Sequence, residues 1–282
     1  MPPELLPCRS IYPTAWPVCM RIRDPRPDYG PRMVALTRLR RVDFCQSWWR
    51  SAWLQESTSP ADLLSKRGTV ISELFSHHLS NEHVLQAQTH WARFVFDPSV
   101  AAWSPGPVPA QSKAFGEGEV HNVPFPADIA SLHADHPRRS ALLDLLVDHL
   151  NALAEVRGWD RSVIAAVADA CRQDDLSLEL LTKPKSSPNR KRKVALRYSI
   201  DGEGDGWVQL LQVEGEDVAE VGAPLPAQSE HGTFRDLASS LRWLDNDRVS
   251  FAPWSQRIWT MPGGATMGGW ESFIVPGREP RA

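Results

Sequence analysis

KVALRYSIDGEGDGWVQLLQV, residues 193–213, is the stretch whose reading decides the fold. Val194, Leu196, Tyr198 and Ile200 alternate with Ala195, Arg197 and Ser199. A period of two belongs to a strand with one face on a core. DGEGDG (201–206) turns the chain, since Asp-Gly and glycine-rich steps bend a backbone at little steric cost. Trp207–Val213 then returns beside the first strand, and Val218 and Val221 point to a third. An antiparallel sheet is therefore expected here.

Downstream, Thr233 is placed to cap a helix carrying Leu237, Leu241 and Leu244. Short strands are expected at Val249–Phe251 and Arg257–Trp259. The stretch from Pro262, with Gly263, Gly264, Gly268 and Gly269, reads as a flexible tail, because the G-K-[ST] step of a phosphate loop is missing.

Upstream, KPKSSPNRKRK (183–193) holds six basic residues and no acid, and is read as a basic linker between domains. Before it, Leu176, Leu178 and Leu180 alternate like a short strand. Asp160 is placed to cap a helix with Val163, Ile164, Val167 and Cys171. A long helix from Pro137 to Gly158 carries Leu142, Leu145, Leu146, His149, Leu150, Leu153 and Val156, with His149 expected on the core side and not as a ligand. Helical spacing also suggests helices over 38–57, over a stretch started by Ser59-Pro60 and divided by Gly68, and over 80–96. A proline- and glycine-rich connection spans 98–137.

The expected architecture is α+β: a mainly helical N-terminal domain (37–182), the basic linker (183–193), a smaller α+β domain with an antiparallel sheet (194–261) and the tail (262–282). Residues 1–36, with eight prolines, read as an extended or disordered leader. Met33 stands just before the periodic structure and is a candidate for the true translation start.

Composition bounds the function classes. Hydrophobic residues make up 42% and charged residues 23% of the 282, as in globular proteins, so wholesale disorder is not expected. A net charge of -3 gives no global field for nucleic acid. No apolar run approaches the roughly 20 residues of a membrane span. Cys8, Cys19, Cys45 and Cys171 have no C-x-x-C spacing, and prolines break the N-terminal apolar stretch, so a reducing, cytoplasmic setting without a signal peptide is expected. Twelve tryptophans against three tyrosines is the unusual feature. Some of them fill cores, and others are candidates for an aromatic contact surface.

Three constellations carry candidate chemistry. Asp201, Glu203 and Asp205 before Gly206 resemble the first half of an EF-hand calcium loop, although Gln212 stands where the bidentate glutamate belongs. His133, Asp135 and His136 resemble part of the H-x-H-x-D-H zinc motif of the metallo-β-lactamase fold, with Ser131 in place of the first histidine. Lys183, Lys185, Arg190, Lys191, Arg192 and Lys193 are the candidate phosphate contacts. His77, His78, His83 and His90 cluster without a metal-site spacing. No cofactor is expected.

No catalytic motif stands out. The leading expectation is a non-enzymatic protein that binds a protein partner, as an accessory, adaptor or inhibitor. A nucleic-acid-associated protein using the 183–193 strip is the alternative, and an enzyme whose residues converge from distant positions is the third reading.

Overall fold

The described part of the first half of the chain holds five strands where helices were expected to dominate, and the reason lies in how its apolar runs are used. The computed structural model describes residues 36–45, 59–106, 118–229, 232–253 and 271–275. β1 (Thr37–Leu39) and β2 (Arg41–Cys45) occupy the start of the segment expected to be a helix over 38–57, the rest of which lies outside the described residues. Ser59 caps α1 (Pro60–Arg67) by accepting from the Asp62 N–H, and Gly68 separates α1 from α2 (Thr69–Asn81), as the sequence suggests. The helix expected over 80–96 is instead β3 (Leu85–Ala87) and β4 (Trp91–Asp97).

The connection 98–137 holds a further strand, β5 (Gly118–Pro124), and the short α3 (Ala127–Ala130). β2, β4 and β5 form a parallel sheet in the order β2-β4-β5, while β1 pairs with β3. α1 and α2 make the crossover that parallel strands require. β4 is central in its sheet, and the adjacent Phe94 and Val95 are both buried, so both of its faces are covered. Such a run has no period that separates it from a buried helix.

α2 also closes the outer edge of β2. Ser76 Oγ accepts from the Val42 N–H at 3.0 Å, and Ser72 Oγ accepts from the Phe44 N–H at 3.0 Å. Two serines one helical turn apart thus satisfy the amides that an edge strand leaves open.

α4 (Asp135–Arg157) ends at Gly158, whose φ of +69° is the left-handed cap that glycine adopts freely. Asp160 caps α5 (Arg161–Gln173) through the Ser162 N–H. The antiparallel sheet follows: β6 (Leu178–Leu181), β7 (Lys185–Ser186), β8 (Lys193–Ile200), β9 (Gly206–Glu214) and β10 (Asp217–Ala227). Its order is β10-β9-β8-β6, with β7 also on β8. α6 (Thr233–Ser240) precedes a second antiparallel sheet of β11 (Arg242–Trp243), β12 (Arg248–Phe251) and β13 (Glu271–Ile274). Glu271–Ile274 is thus a strand inside the expected tail and Val275 after it is buried, whereas tail residues 262–270 and 276–282, residues 257–259 and residues 1–35 of the leader lie outside the described residues.

The fold is therefore mixed helix and sheet with sheets dominant, which corrects the expectation of a helical N-terminal region ahead of a smaller antiparallel one. The described residues from 36 to 275 form one compact unit, and one buried apolar cluster runs from Leu39 and Phe94 through Leu146 and Leu196 to Phe251. Within 183–193, Lys185 and Ser186 pair with Val194 and Lys193 as one arm of a hairpin. Among the described residues, no helix is long and apolar enough to cross a membrane.

Candidate functional site

The period of two in β8 sends Val194, Leu196, Tyr198 and Ile200 into the core and turns Arg197 and Ser199 to the other face. Cross-strand register carries that face over the whole sheet. Leu181 stands opposite Arg197, Gln209 opposite Arg197 on the other side, Trp207 opposite Ser199, and Val218 opposite Val213. Leu181 is 57% exposed, Val218 56% and Trp207 37%, so three large apolar side chains share one outward face. Arg197, Ser199, Trp207, Gln209 and Pro224 line a depression of about 300 Å³ on it.

Two features set this depression. The Trp207 indole N–H donates to Asp201 Oδ2 at 2.8 Å, which fixes the ring while leaving part of it exposed. Burial pushes the Asp201 carboxyl up, but hydrogen bonds from Trp207 and from the Asp205 and Glu203 amides, with Lys66 nearby, outweigh it and hold Asp201 below the usual aspartate value. Beside it, register shifts between Val221 and Leu225 make a bulge in β10. The side-chain amide of buried Gln209 fills that bulge, and its Nε2 donates to the carbonyls of Leu210, Val221 and Gly222. Those acceptors fix which way the amide points. Gln209 Oε1 is buried and has no partner. An unpaired buried acceptor costs about 1–3 kcal/mol. Apart from guanidinium nitrogens, the buried side-chain atoms without a partner among the described residues are Gln209 Oε1 and His149 Nε2.

The acidic loop is engaged differently from a calcium loop. Asp201 Oδ1 accepts from the Glu203 and Asp205 amides, Glu203 pairs with Arg67 at 2.9 Å, and Asp205 pairs with Lys66 at 2.8 Å. Buried Arg138 reaches the same loop through the Gly202 carbonyl. The loop is a seam against the end of α1 and the start of α4. His133, Asp135 and His136 do not converge: Asp135 pairs with Arg138 and Arg139, His136 with Asp175, and His133 is exposed. Among the described residues no group of three or more His, Cys, Asp or Glu side chains is placed to hold a metal.

The basic strip divides. Lys185 Nζ donates to the Ala238 and Leu241 carbonyls at the end of α6, and Arg192 pairs with Asp247 at 2.5 Å. Lys183, Arg190, Lys191 and Lys193 are exposed.

A second polar cluster lies in the parallel sheet. Fully buried Glu119 on β5 accepts from Arg157 at 3.0 Å, from His121 at 3.1 Å and from Thr89 at 3.3 Å. Burial pushes its carboxyl up, but the His121 and Arg157 hydrogen bonds and the Arg157 charge outweigh that and keep it below the ordinary glutamate value. His149 packs against Phe94 and Trp103, with ring centroids 5.0 Å from each. Burial, and then the His121 charge, lower its pKa to about 4, so its ring is neutral at neutral pH. Burial pushes the Cys171 thiol up to about 12, which leaves it protonated and unreactive.

The sequence reading passed over Arg197, Ser199, Trp207 and Gln209. The available signal was a tryptophan in the same register as Arg197 and Ser199, on the polar side of the alternation. Comparison with protein-family models, with curated proteins and with solved structures finds no match.

Proposed function

We propose that the protein binds a protein partner through the outward face of the antiparallel sheet, acting as an accessory, adaptor or inhibitor. One observation carries this reading: Leu181, Trp207 and Val218 are exposed on the same side of the antiparallel sheet. Exposed apolar groups gathered on one face, with an aromatic anchor and a polar rim, are what protein interfaces use. The nucleic-acid alternative is less favoured, because Lys185 and Arg192 are committed to internal carbonyl and carboxylate partners.

Photo-cross-linking residues placed at Leu181 and Val218 test the reading against the same residue at Val84 and Val156, which are exposed elsewhere. A discrete cross-linked protein is expected at the first two positions only, and it should vanish when Trp207→Ala is added. Equal products at all four positions, or products indifferent to Trp207→Ala, would contradict it.

A further inference from the structure

Two hairpins of the antiparallel sheet turn at the same end of it. Lys185, Val194, Gln212 and Ala219 stand in one row across β7, β8, β9 and β10. Just beyond that row β7 turns into β8 through residues 187–192, and β9 turns into β10 through Gly215 and Glu216. At the usual strand spacing the two turns lie side by side, their centres about 10 Å apart. They carry opposite charge. Arg190, Lys191 and Lys193 are exposed on the first, and Glu216 and Asp217 are exposed on the second. The charged neighbours are engaged already: Arg192 pairs with Asp247, Arg248 pairs with Asp245, and Glu214 accepts from Gln212. Among the described residues, the side chains of Arg190, Lys191, Lys193, Glu216 and Asp217 make no hydrogen bond or ion pair, so the two turns do not neutralise each other in place. A long polyanion would be drawn to the first turn and repelled by the second. A surface that is itself basic beside acidic matches both turns at once, and this end of the sheet is such a surface. A two-fold axis between the turns sets the basic turn of one copy on the acidic turn of the other, twice.

We propose that this end of the antiparallel sheet receives a second copy of the chain, in a two-fold pair held by opposite charge. Arg190, Lys191 and Lys193 of one copy face Glu216 and Asp217 of the other, and the reciprocal set closes the pair. Exposed ion pairs contribute little singly, so the pair is weak and salt-sensitive. It does not rest on the partner-binding reading above, because Trp207 stands opposite Ser199 at the other end of β9 and stays free in the pair.

Sedimentation equilibrium of the full-length protein tests this with two charge-reversed variants. One carries Arg190→Glu with Lys191→Glu, so that both turns are acidic. The other carries Glu216→Lys with Asp217→Lys, so that both are basic. All four positions are exposed, and an unchanged Tm checks that each variant is folded. The wild type is expected to dimerise at about 0.05 M salt, with an association constant that falls about tenfold or more at about 0.5 M. Each variant alone is expected to be a monomer. An equimolar mixture of the two should dimerise again, because every contact across the two-fold axis then joins opposite charges. Trp207→Ala should leave the association constant within about twofold, which separates this contact from the partner face. A wild type that is monomeric at low salt, a dimer that survives either reversal, or a mixture that stays monomeric overturns the proposal. So does a monomer that binds a short DNA duplex with salt-steep affinity lost in Arg190→Glu with Lys191→Glu, since the basic turn would then serve a polyanion.

Discussion

The parallel sheet buries Glu119 and the antiparallel sheet buries Gln209, and the two sheets treat these side chains in opposite ways. Glu119 on β5 has three donors on its carboxylate. Gln209 on β9 has every amide hydrogen bond on its nitrogen side and none on its oxygen. The first arrangement is closed, since there is nothing left for a ligand to add. The second leaves one buried acceptor unmet, beside the half-exposed Trp207 on the same strand face. Full pairing marks Glu119 as a structural device, whereas the unmet Gln209 acceptor, like His149 Nε2, is a cost that the rest of the fold offsets.

The largest effect that would sharpen this contrast is expected at Arg157. Arg157→Met leaves the Glu119 charge buried and under-compensated, and should cost about 3–5 kcal/mol in urea denaturation. Adding Glu119→Leu should recover part of that loss, because it removes the stranded charge as well. A cost below about 1 kcal/mol for Arg157→Met would remove the closed half of the comparison.

His149 gives the same half a pH signature. Its folded-state pKa is about 4 against an ordinary value of 6.5. Above pH 6.5 neither state binds the proton. As pH falls from 6.5 towards 4, the unfolded chain takes the proton and the folded one does not, so stability is lost across that window, by up to about 3 kcal/mol. His149→Leu should flatten that part of the stability profile while keeping the fold. An unchanged slope would place the pH dependence elsewhere.

The seam beside the open half is expected to be intermediate. Gly204 has a φ of +83°, and a Cβ there would fall 2.0 Å from the Lys66 carbonyl oxygen. Gly204→Ala should cost about 2 kcal/mol and disturb the Trp207 indole signal through Asp201. The smallest effect is expected at Gln209 itself. Gln209→Met relieves one unpaired acceptor but withdraws the donor from the bulge carbonyls of Val221 and Gly222, so its net cost in thermal or urea unfolding should be about 1–2 kcal/mol. A large cost would turn Gln209 into a structural residue like Glu119 and erase the difference between the sheets.

The two halves also differed in how much their sequences revealed. β8 and β9 were legible because their outward face keeps Arg197 and Ser199 between apolar neighbours, which is a visible period. β4 was misread because both of its faces are buried, and β5 because two of its buried residues, Glu119 and His121, are polar and read as loop. The helix starts at Ser59-Pro60 and Asp160 were legible because capping is local chemistry. The partners of the DGEGDG acids, Lys66, Arg67 and Arg138, come from helices far away in the chain, so the loop's resemblance to a calcium site could not be separated locally from an ion-paired turn. The state of Gln209 was hidden for a related reason: it depends on a bulge in the neighbouring strand, and no feature of VQLLQV announces that bulge.

The most direct measurement is the affinity of the purified protein for the partner recovered by the Val218 cross-link, taken for the wild type, Trp207→Ala and Val156→Ser. Trp207→Ala removes the exposed aromatic of the open face, and Val156→Ser alters an equally exposed apolar residue on α4. A loss of about tenfold or more for Trp207→Ala, with Val156→Ser within about twofold of wild type, is the expected result. Equal affinities for all three proteins would contradict the assignment of the outward sheet face as the binding surface.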